Sequence, residues 1–205
     1  MDSQFSMTAI ILAGGKSSRM GQDKALLKFG AKTILEHLAQ FACALFSETL
    51  VIVNKGKELD HLDLKEANVY EDLTQESGPL AGLYTGLVYS KNLSSCVFTC
   101  DMPFVDDFIV RKLVEHWEAG FNVVCLKEAE GGYQPFPGIY HRSSRSLIRS
   151  LLRSGENSMR QFFEIADVKS VVLPQERIEV LTNMNHMGDY HRALKQMEQS
   201  DAFSS

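Results

Sequence analysis

Three cationic side chains follow a pair of adjacent glycines near the start of the chain. Gly14 and Gly15 end an apolar run, and the cations after them are Lys16, Arg19 and Lys24. Glycines let backbone N–H groups approach an anion without a Cβ in the way, and the cations add positive charge. This pattern is typical of a phosphate-binding loop. A tight strand-to-helix turn with solvated lysines explains the glycines equally well at this stage.

The glycine spacing excludes the two commonest phosphate loops. A P-loop has four residues between its glycines and then Lys-Ser or Lys-Thr, whereas five residues separate Gly15 from Gly21 and Gln22 follows. The dinucleotide fingerprint GxGxxG is absent because Gly14 and Gly15 are adjacent. The loop therefore belongs to another class of phosphate site.

Polar residues stand where several apolar runs stop. Asn54, Asp72 and Asp101 each end such a run, as Gly14 does. Ligands of open α/β sheets bind outside the carboxyl ends of the strands, so these positions predict one shared site. Asp101, just before Met102, offers a hard oxygen ligand for Mg²⁺. A helix-capping or turn aspartate is the alternative interpretation of Asp101.

Short apolar runs alternate with amphipathic segments along the chain, which predicts an α/β fold. We expect a single Rossmann-like three-layer domain, with a mostly parallel central sheet and helices on both faces, over residues 1–205 with an ordered core of about 7–199. The predicted strands are 8–12, 49–54, 67–72, 95–100, 122–127, 133–141 and 169–174. The predicted helices are 33–46, 79–90, 107–117, 142–153, 158–165 and 186–199.

Two local features refine this prediction. Pro135 and Pro137 favour an edge position for the strand that contains them, because proline cannot donate to a ladder. Asp106 or Asp107 is predicted to cap the helix that follows, and Asn157 to cap a later one.

Composition narrows the functional classes. The 205 residues, 44% of them hydrophobic, suffice for one domain with a substantial core. A net charge of −5 argues against a nucleic-acid-binding surface. The polar N-terminus does not resemble a signal peptide, so we expect a cytoplasmic protein without a membrane partner. The cysteines form no CxxC pair and are predicted to be buried free thiols: Cys43, Cys96, Cys100 and Cys125.

The segment "LAGGKSSRMGQDKALL" resembles the LAGGxSxRMGxDK signature of nucleotidyltransferases that activate small phosphorylated compounds. The residues that match at the expected spacing are Gly14, Gly15, Arg19, Met20, Gly21, Asp23 and Lys24. Within that superfamily the chain resembles the molybdenum cofactor guanylyltransferases. The further matching blocks, in family order over residues 8–192, are "VIVN", "YED", "GPLAG", "FTCDMPF", "QPFPGIYH" and "NMN".

The resemblance implies a reaction and its partners. The expected activity is Mg²⁺-dependent transfer of GMP from GTP to the phosphate of molybdopterin or its molybdenum form, with release of pyrophosphate. Molybdoenzymes or other proteins of cofactor biosynthesis are the implied protein partners. Because both reactants are anions, the protein must supply positive charge and alignment rather than covalent chemistry.

The resemblance also assigns roles to residues. The implied catalytic residues are Lys24, Arg19 and Asp101. Nucleotide contacts are implied at Leu12, Ala13, Gly14, Gly15, Lys24, Asn54, Asp72 and Asp101. Metal ligation is implied for Asp101 and Asn185. The acceptor side is implied at Gly78, Pro79, Leu80, Gly82, Gln134 and Pro135.

Some positions keep an ordinary structural explanation. The segment 78–82 could serve helix packing as well as ligand approach. After Asn185 the family usually continues with Thr-Pro and an acidic pair, whereas this chain has His186 to Asp189, and His186 is predicted to be a solvated side chain. A hydrated helix face, rather than an acceptor contact, is the favoured interpretation of Arg142, Arg145, Arg149, Arg153 and Arg160.

Two other functions remain open from sequence. The same fold could use CTP with molybdopterin, or a nucleotide with a sugar or alditol phosphate, because base choice rests on few contacts. A nucleotide-binding partner protein without turnover is the non-enzymatic alternative, although the presence of Lys24 and Asp101 argues against it.

Overall fold

A computed structural model describes residues 5–14, 23–74, 78–127, 132–174, 177, 184, 186, 188–192 and 194–195. The strands of the main sheet are β1 (Phe5–Leu12), β4 (Phe46–Val53), β5 (Asn68–Glu71), β6 (Ser94–Thr99), β7 (Val123–Lys127), β8 (Tyr133–His141) and β9 (Val168–Val172). A small hairpin is formed by β2 (Lys28–Phe29) and β3 (Lys32–Thr33). The helices are α1 (Ile34–Leu45), α2 (Pro79–Tyr89), α3 (Asp107–Glu115), α4 (Ser144–Arg153) and α5 (Met159–Ile165), with a short 3-10 helix at Lys24–Leu26.

The main sheet has seven strands in the order β5-β4-β1-β6-β8-β7-β9. All of them run in one direction except β8, which is antiparallel to both of its neighbours. The centre of β1 pairs Ile11 with Val51 on one side and with Phe98 on the other. Both faces of β1 are covered along its second half, which explains why residues 9–12 form a continuous apolar run rather than an alternating one.

Helices cover both faces of the sheet. On one face, α1 and α3 bury residues such as Leu38 and Ile109 against the sheet. On the other, α2, α4 and α5 bury Leu83, Ile148 and Phe162. The predicted α/β class, with a mostly parallel sheet between two helical layers, is confirmed.

Helix starts follow the capping chemistry of the sequence. Thr33 and Glu36 form a capping box at α1. Asp106 caps α3 through a hydrogen bond from the Ile109 N–H, which decides between the two predicted aspartates. The prediction that Asn157 caps α5 is wrong, because Ser158 is the N-cap and its hydroxyl accepts from the N–H three residues further on.

Other element ends differ from the predicted ones by a few residues. Both β1 and β4 begin three residues earlier than predicted, at Phe5 and Phe46. Helix α3 ends at Glu115 rather than 117. Of the predicted C-terminal helix, 188–192 and 194–195 are helical, and the rest lies outside the described residues apart from His186.

The predicted edge position of β8 is wrong: this strand lies between β6 and β7. Its pairing with β7 jumps from Cys125 opposite Gly138 to Leu126 opposite Gln134, so the two prolines fall inside a bulge between ladder positions. The Tyr140 hydroxyl donates to the Pro135 carbonyl at 2.7 Å and holds the bulge. Proline is tolerated in this central strand because the bulge demands no ladder N–H from it.

The four cysteines are free, as predicted, but the prediction of burial is wrong for Cys43, which is partly exposed. Burial raises the pKa of the Cys96 thiol and raises that of Cys125 to about 12. Within the described part of the chain, no helix has the length and apolar character required to span a bilayer.

Candidate active site

A pocket of about 870 Å³ opens at the carboxyl edge of the sheet. Its walls come from the ends of β1, β4, β5 and β6, from the first turn of α2 and from the β8 bulge. In open α/β sheets, ligands bind outside the carboxyl ends of the strands, which is where this pocket lies. The fold therefore brings together segments that lie far apart in the sequence.

The pocket collects most of the residues predicted from the sequence. Those from the predicted nucleotide set are Leu12, Ala13, Gly14, Lys24, Asn54, Asp72 and Asp101. Those from the predicted acceptor side are Gly78, Pro79, Gly82, Gln134 and Pro135. Leu80 is fully buried in the core and does not line the pocket. The predictions for Gly15, Arg19 and Asn185 lie outside the described residues.

Gly14 lies directly against Asn54. A Cβ at Gly14 would be 2.6 Å from Asn54 Oδ1, so glycine at this position lets the end of β1 approach the end of β4. The Ala13 N–H continues the pairing beyond β1 by donating to the Ile52 carbonyl at 2.9 Å. This close approach of two strand ends is a structural reason for glycine at position 14, distinct from the predicted approach of its backbone to an anion.

Asp23 organises the segment that carries Lys24. Its Oδ1 accepts from the Ala25 N–H at 3.0 Å and caps the 3-10 helix, and its Oδ2 lies 2.6 Å from Lys57 Nζ. Lys57 Nζ also donates to the Ala13 carbonyl at 2.7 Å. Sequence reasoning missed Lys57. The only sequence signal was a lysine a few residues after Asn54. In the structure this lysine lies in a turn, which is closed by a hydrogen bond from the Lys57 N–H to the Asn54 carbonyl.

Asp72 is held by two threonines. Its Oδ1 accepts from the N–H and hydroxyl of Thr74, both at 3.0 Å, and from the hydroxyl of Thr85 at 2.7 Å. Thr85 is fully buried in α2. Sequence reasoning missed it as well, although a hydroxyl on the apolar face of a helix was a possible signal.

Asp101 is fixed through both its side chain and its backbone. Thr99 Oγ1 donates to Asp101 Oδ1 at 2.5 Å, and the Met184 N–H donates to the Asp101 carbonyl at 2.8 Å. Asp101 lines the pocket. Mg²⁺ is usually bound through one or two carboxylates together with substrate phosphates, so this hard oxygen donor fits that ion.

The thiol in the pocket wall is not poised for nucleophilic chemistry. Burial raises the pKa of Cys100 to about 12, although the Lys57 ammonium opposes the shift. At neutral pH the side chain is therefore the protonated thiol, and the thiolate is the reactive form. This agrees with a site that aligns anions rather than forming a covalent intermediate.

The predicted arginine series and His186 lie away from the pocket that the described residues form. Arg142 donates to the carbonyls of Ser90, Lys91 and Asn92 and so has a structural role. Of the other arginines in the series, Arg145 is half-buried. The remaining three have exposed side chains: Arg149, Arg153 and Arg160. His186 is exposed, as predicted.

A family model, the MobA-like NTP transferase domain, matches residues 9–171. The chain belongs to this family. It is 37% identical to a protein of Carboxydothermus hydrogenoformans named "Probable molybdenum cofactor guanylyltransferase", over 92% of this chain and 95% of that one. A Flavobacterium johnsoniae protein of the same name is 32% identical, over 87% and 92% of the two chains.

Solved structures agree with the MobA-like fold. The crystal structure of the molybdopterin-guanine dinucleotide biosynthesis protein A from Archaeoglobus fulgidus superposes with a TM-score of 0.81. The match covers 94% of this chain and all of that one, at 22% sequence identity. This likeness supports the fold of the MobA-like domain described here.

Proposed function

We propose that this MobA-like nucleotidyltransferase is a Mg²⁺-dependent molybdenum cofactor guanylyltransferase. It would transfer GMP from GTP to the phosphate of molybdopterin, or of its molybdenum form, and release pyrophosphate. The observation that carries the proposal is the convergence of Gly14, Lys24, Asn54, Asp72 and Asp101 in one pocket. The names of the two curated relatives supply the substrate pair.

The chemistry is a displacement at the α-phosphorus of GTP. An oxygen of the acceptor phosphate forms the new P–O bond, and the bond from the α-phosphorus to the β-phosphate bridging oxygen breaks, so the leaving group is pyrophosphate. Both reactants and both products are anionic. The task of the protein is therefore to align the two phosphates and to offset the charge that develops between them.

Described residues supply both parts of this task. Lys24 lines the pocket, and its ammonium would stabilise charge on the transferring and leaving phosphates. Asp101, oriented by Thr99, would hold Mg²⁺, and the ion would supply positive charge that offsets the charge of the phosphates. Gly14 and Asn54 would contact the nucleotide where the ends of β1 and β4 meet, because both residues line the pocket there.

The test is pyrophosphate release by the purified protein with GTP or CTP, with and without Mg²⁺. Molybdopterin, a sugar phosphate and an alditol phosphate are compared as acceptors. We expect release with GTP and Mg²⁺, formation of the guanine dinucleotide by mass spectrometry, and a loss of about a hundredfold or more in Asp101→Asn. Asp60→Asn, at an exposed position, is the matched control and should keep full activity.

Three outcomes would contradict this assignment. Equal or faster turnover with CTP would move the protein to the cytidylyl class. Turnover only with a sugar or alditol phosphate would change the acceptor. A protein that binds GTP but never releases pyrophosphate would be a nucleotide-binding partner rather than an enzyme.

A further inference from the structure

We propose that Lys57 is a positioning residue for nucleotide binding. Its ammonium fixes Asp23 against the carboxyl end of β1 and cancels the charge of that carboxylate beside the pocket. The inference rests on the proposed function only in one respect, namely that the pocket takes a nucleoside triphosphate, whichever base that carries.

The geometry of Lys57 is that of a clamp between two segments. Its Nζ lies 2.6 Å from Asp23 Oδ2 and donates to the Ala13 carbonyl at 2.7 Å, so it has two partners among the described residues. Ala13 and Asp23 stand on either side of the segment that carries most of the glycine-rich signature. Because only 14% of the Lys57 side chain is exposed, water competes little for these contacts.

The turn that carries Lys57 is itself held in place. Gly56 has a φ of +71°, a value that favours glycine, and its N–H donates to Glu71 Oε1 at the end of β5. The Lys57 N–H donates to the carbonyl of Asn54. The ammonium thus contacts Asp23 from a short turn that follows β4 and is hydrogen-bonded to the end of β5.

The charges around the pocket give this clamp a consequence for ligand binding. The charged side chains of the described wall are two lysines and three aspartates: Lys24, Lys55, Asp23, Asp72 and Asp101. A triphosphate is repelled by a carboxylate, so Asp23 opposes binding unless a cation compensates it. Lys57 supplies that cation, since its ammonium contacts Asp23 although Lys57 itself does not line the pocket.

Asp23 also links Lys57 to the predicted catalytic lysine. The Asp23 carboxylate caps the 3-10 helix at Lys24–Leu26, and Lys57 holds the other oxygen of the same carboxylate. Loss of the Lys57 ammonium should therefore loosen the start of this helix and the placement of the Lys24 backbone. The expected effect is mainly on nucleotide affinity, with a smaller effect on the chemical step.

The experiment compares GTP binding, by calorimetry in the presence of Mg²⁺, in the wild type and four variants. Lys57→Met keeps the aliphatic stem, and we expect its dissociation constant for GTP to rise about tenfold or more. Lys57→Arg can donate to both partners and should stay within about threefold of the wild type. The double variant Asp23→Asn/Lys57→Met removes the uncompensated carboxylate and should recover part of the loss. Lys65→Met, at an exposed lysine of the same connection, is the control and should bind GTP normally.

Steady-state kinetics separate positioning from a general loss of structure. For Lys57→Met we expect KM for GTP to rise more than kcat falls, and Lys57→Arg to restore KM. The proposal is overturned if Lys57→Met binds GTP as tightly as the wild type, or if the control loses as much affinity. A double variant no tighter than Lys57→Met overturns the charge-cancelling role.

The outcome for Lys57 is distinguishable from that for the proposed function. If the wild type prefers CTP, the guanylyl assignment fails, and the same variants are measured with CTP. If the wild type releases pyrophosphate from GTP while Lys57→Met behaves normally, only the inference about Lys57 fails. A wild type that binds no nucleoside triphosphate overturns both.

Discussion

The Thr85 hydroxyl donates a hydrogen bond to the Asp72 carboxylate at 2.7 Å, and the same hydroxyl accepts from the Leu73 N–H at 3.1 Å. A fully buried side chain of α2 thus fixes a pocket residue that follows β5. We expect Thr85→Val to lower the free energy of unfolding by about 1–3 kcal/mol, because the Leu73 N–H loses its partner. GTP affinity should fall about tenfold as Asp72 loses a donor. Urea unfolding and calorimetric titration measure the two effects.

Thr85→Ser is the matched control for this prediction, since it keeps the hydroxyl and removes only a methyl group. It should retain GTP affinity and lose about 1 kcal/mol of stability at most. Equal affinity in Thr85→Val and the wild type would show that Asp72 needs no support from α2.

The lysine at the start of the 3-10 helix is predicted to act in the transition state. Lys24→Ala should lower kcat about a hundredfold to a thousandfold, because a preorganised cation beside the transferring phosphates is lost. The thermal unfolding midpoint should change little, since the side chain is not part of the apolar core. Rapid-quench measurement of a single turnover checks the chemical step directly. A variant with full activity would refute the assigned role.

A glycine inside α2 allows the helix to pack closely on β1. A Cβ at Gly86 would lie 2.5 Å from Ile10 Cγ2 and 2.9 Å from Ile10 Cδ1, and Ile10 is fully buried. We expect Gly86→Ala to cost about 1–2 kcal/mol, because overpacking outweighs the higher helix propensity of alanine. Equilibrium unfolding in urea measures it. Gly132→Ala, which has no atom within 4 Å of the added Cβ, should lie within about 0.5 kcal/mol of the wild type.

The capping glutamate of α1 makes stability depend on acidic pH. Hydrogen bonds from backbone N–H groups lower the pKa of Glu36 from 4.5 to about 2, with the Asp63 N–H as the larger cause and the Thr33 N–H as the second. Because the pKa is lower in the folded state, the contribution of Glu36 is complete above about pH 4.5 and is lost as the pH falls towards 2. Urea midpoints at pH 6 and pH 3 should therefore differ more in the wild type than in Glu36→Gln. Glu66→Gln, at an exposed position, should behave as the wild type does.

Local sequence patterns were sufficient for the class of fold and the location of the site. The apolar run ending at Gly14 and the run ending at Asp101 predicted strands whose carboxyl ends share one edge of the sheet. Both residues do line the same pocket. The reason is that short continuous apolar runs indicate buried parallel strands. Parallel strands bring their carboxyl ends together, whatever their separation in the chain.

The sequence predicted an edge position for β8, which is wrong, because a proline indicates only that one backbone N–H donor is missing. Pro135 and Pro137 lack the N–H that a central ladder requires, and only the paired strands reveal the bulge that removes this requirement. The Tyr140 hydroxyl stabilises that bulge by donating to the Pro135 carbonyl, five residues earlier. No local sequence pattern predicts this contact.

By itself the sequence determined the α/β class, the glycine-rich signature and the edge of the sheet at which the chemistry is expected. The tertiary structure alone decided that Lys57 bridges Asp23 and Ala13, and that Thr85 supports Asp72. Lys57 and Ala13 are 44 positions apart in the sequence. Such contacts depend on how β1, β4 and β5 align side by side, and that alignment is set by the packing of the whole core rather than by any segment of the chain.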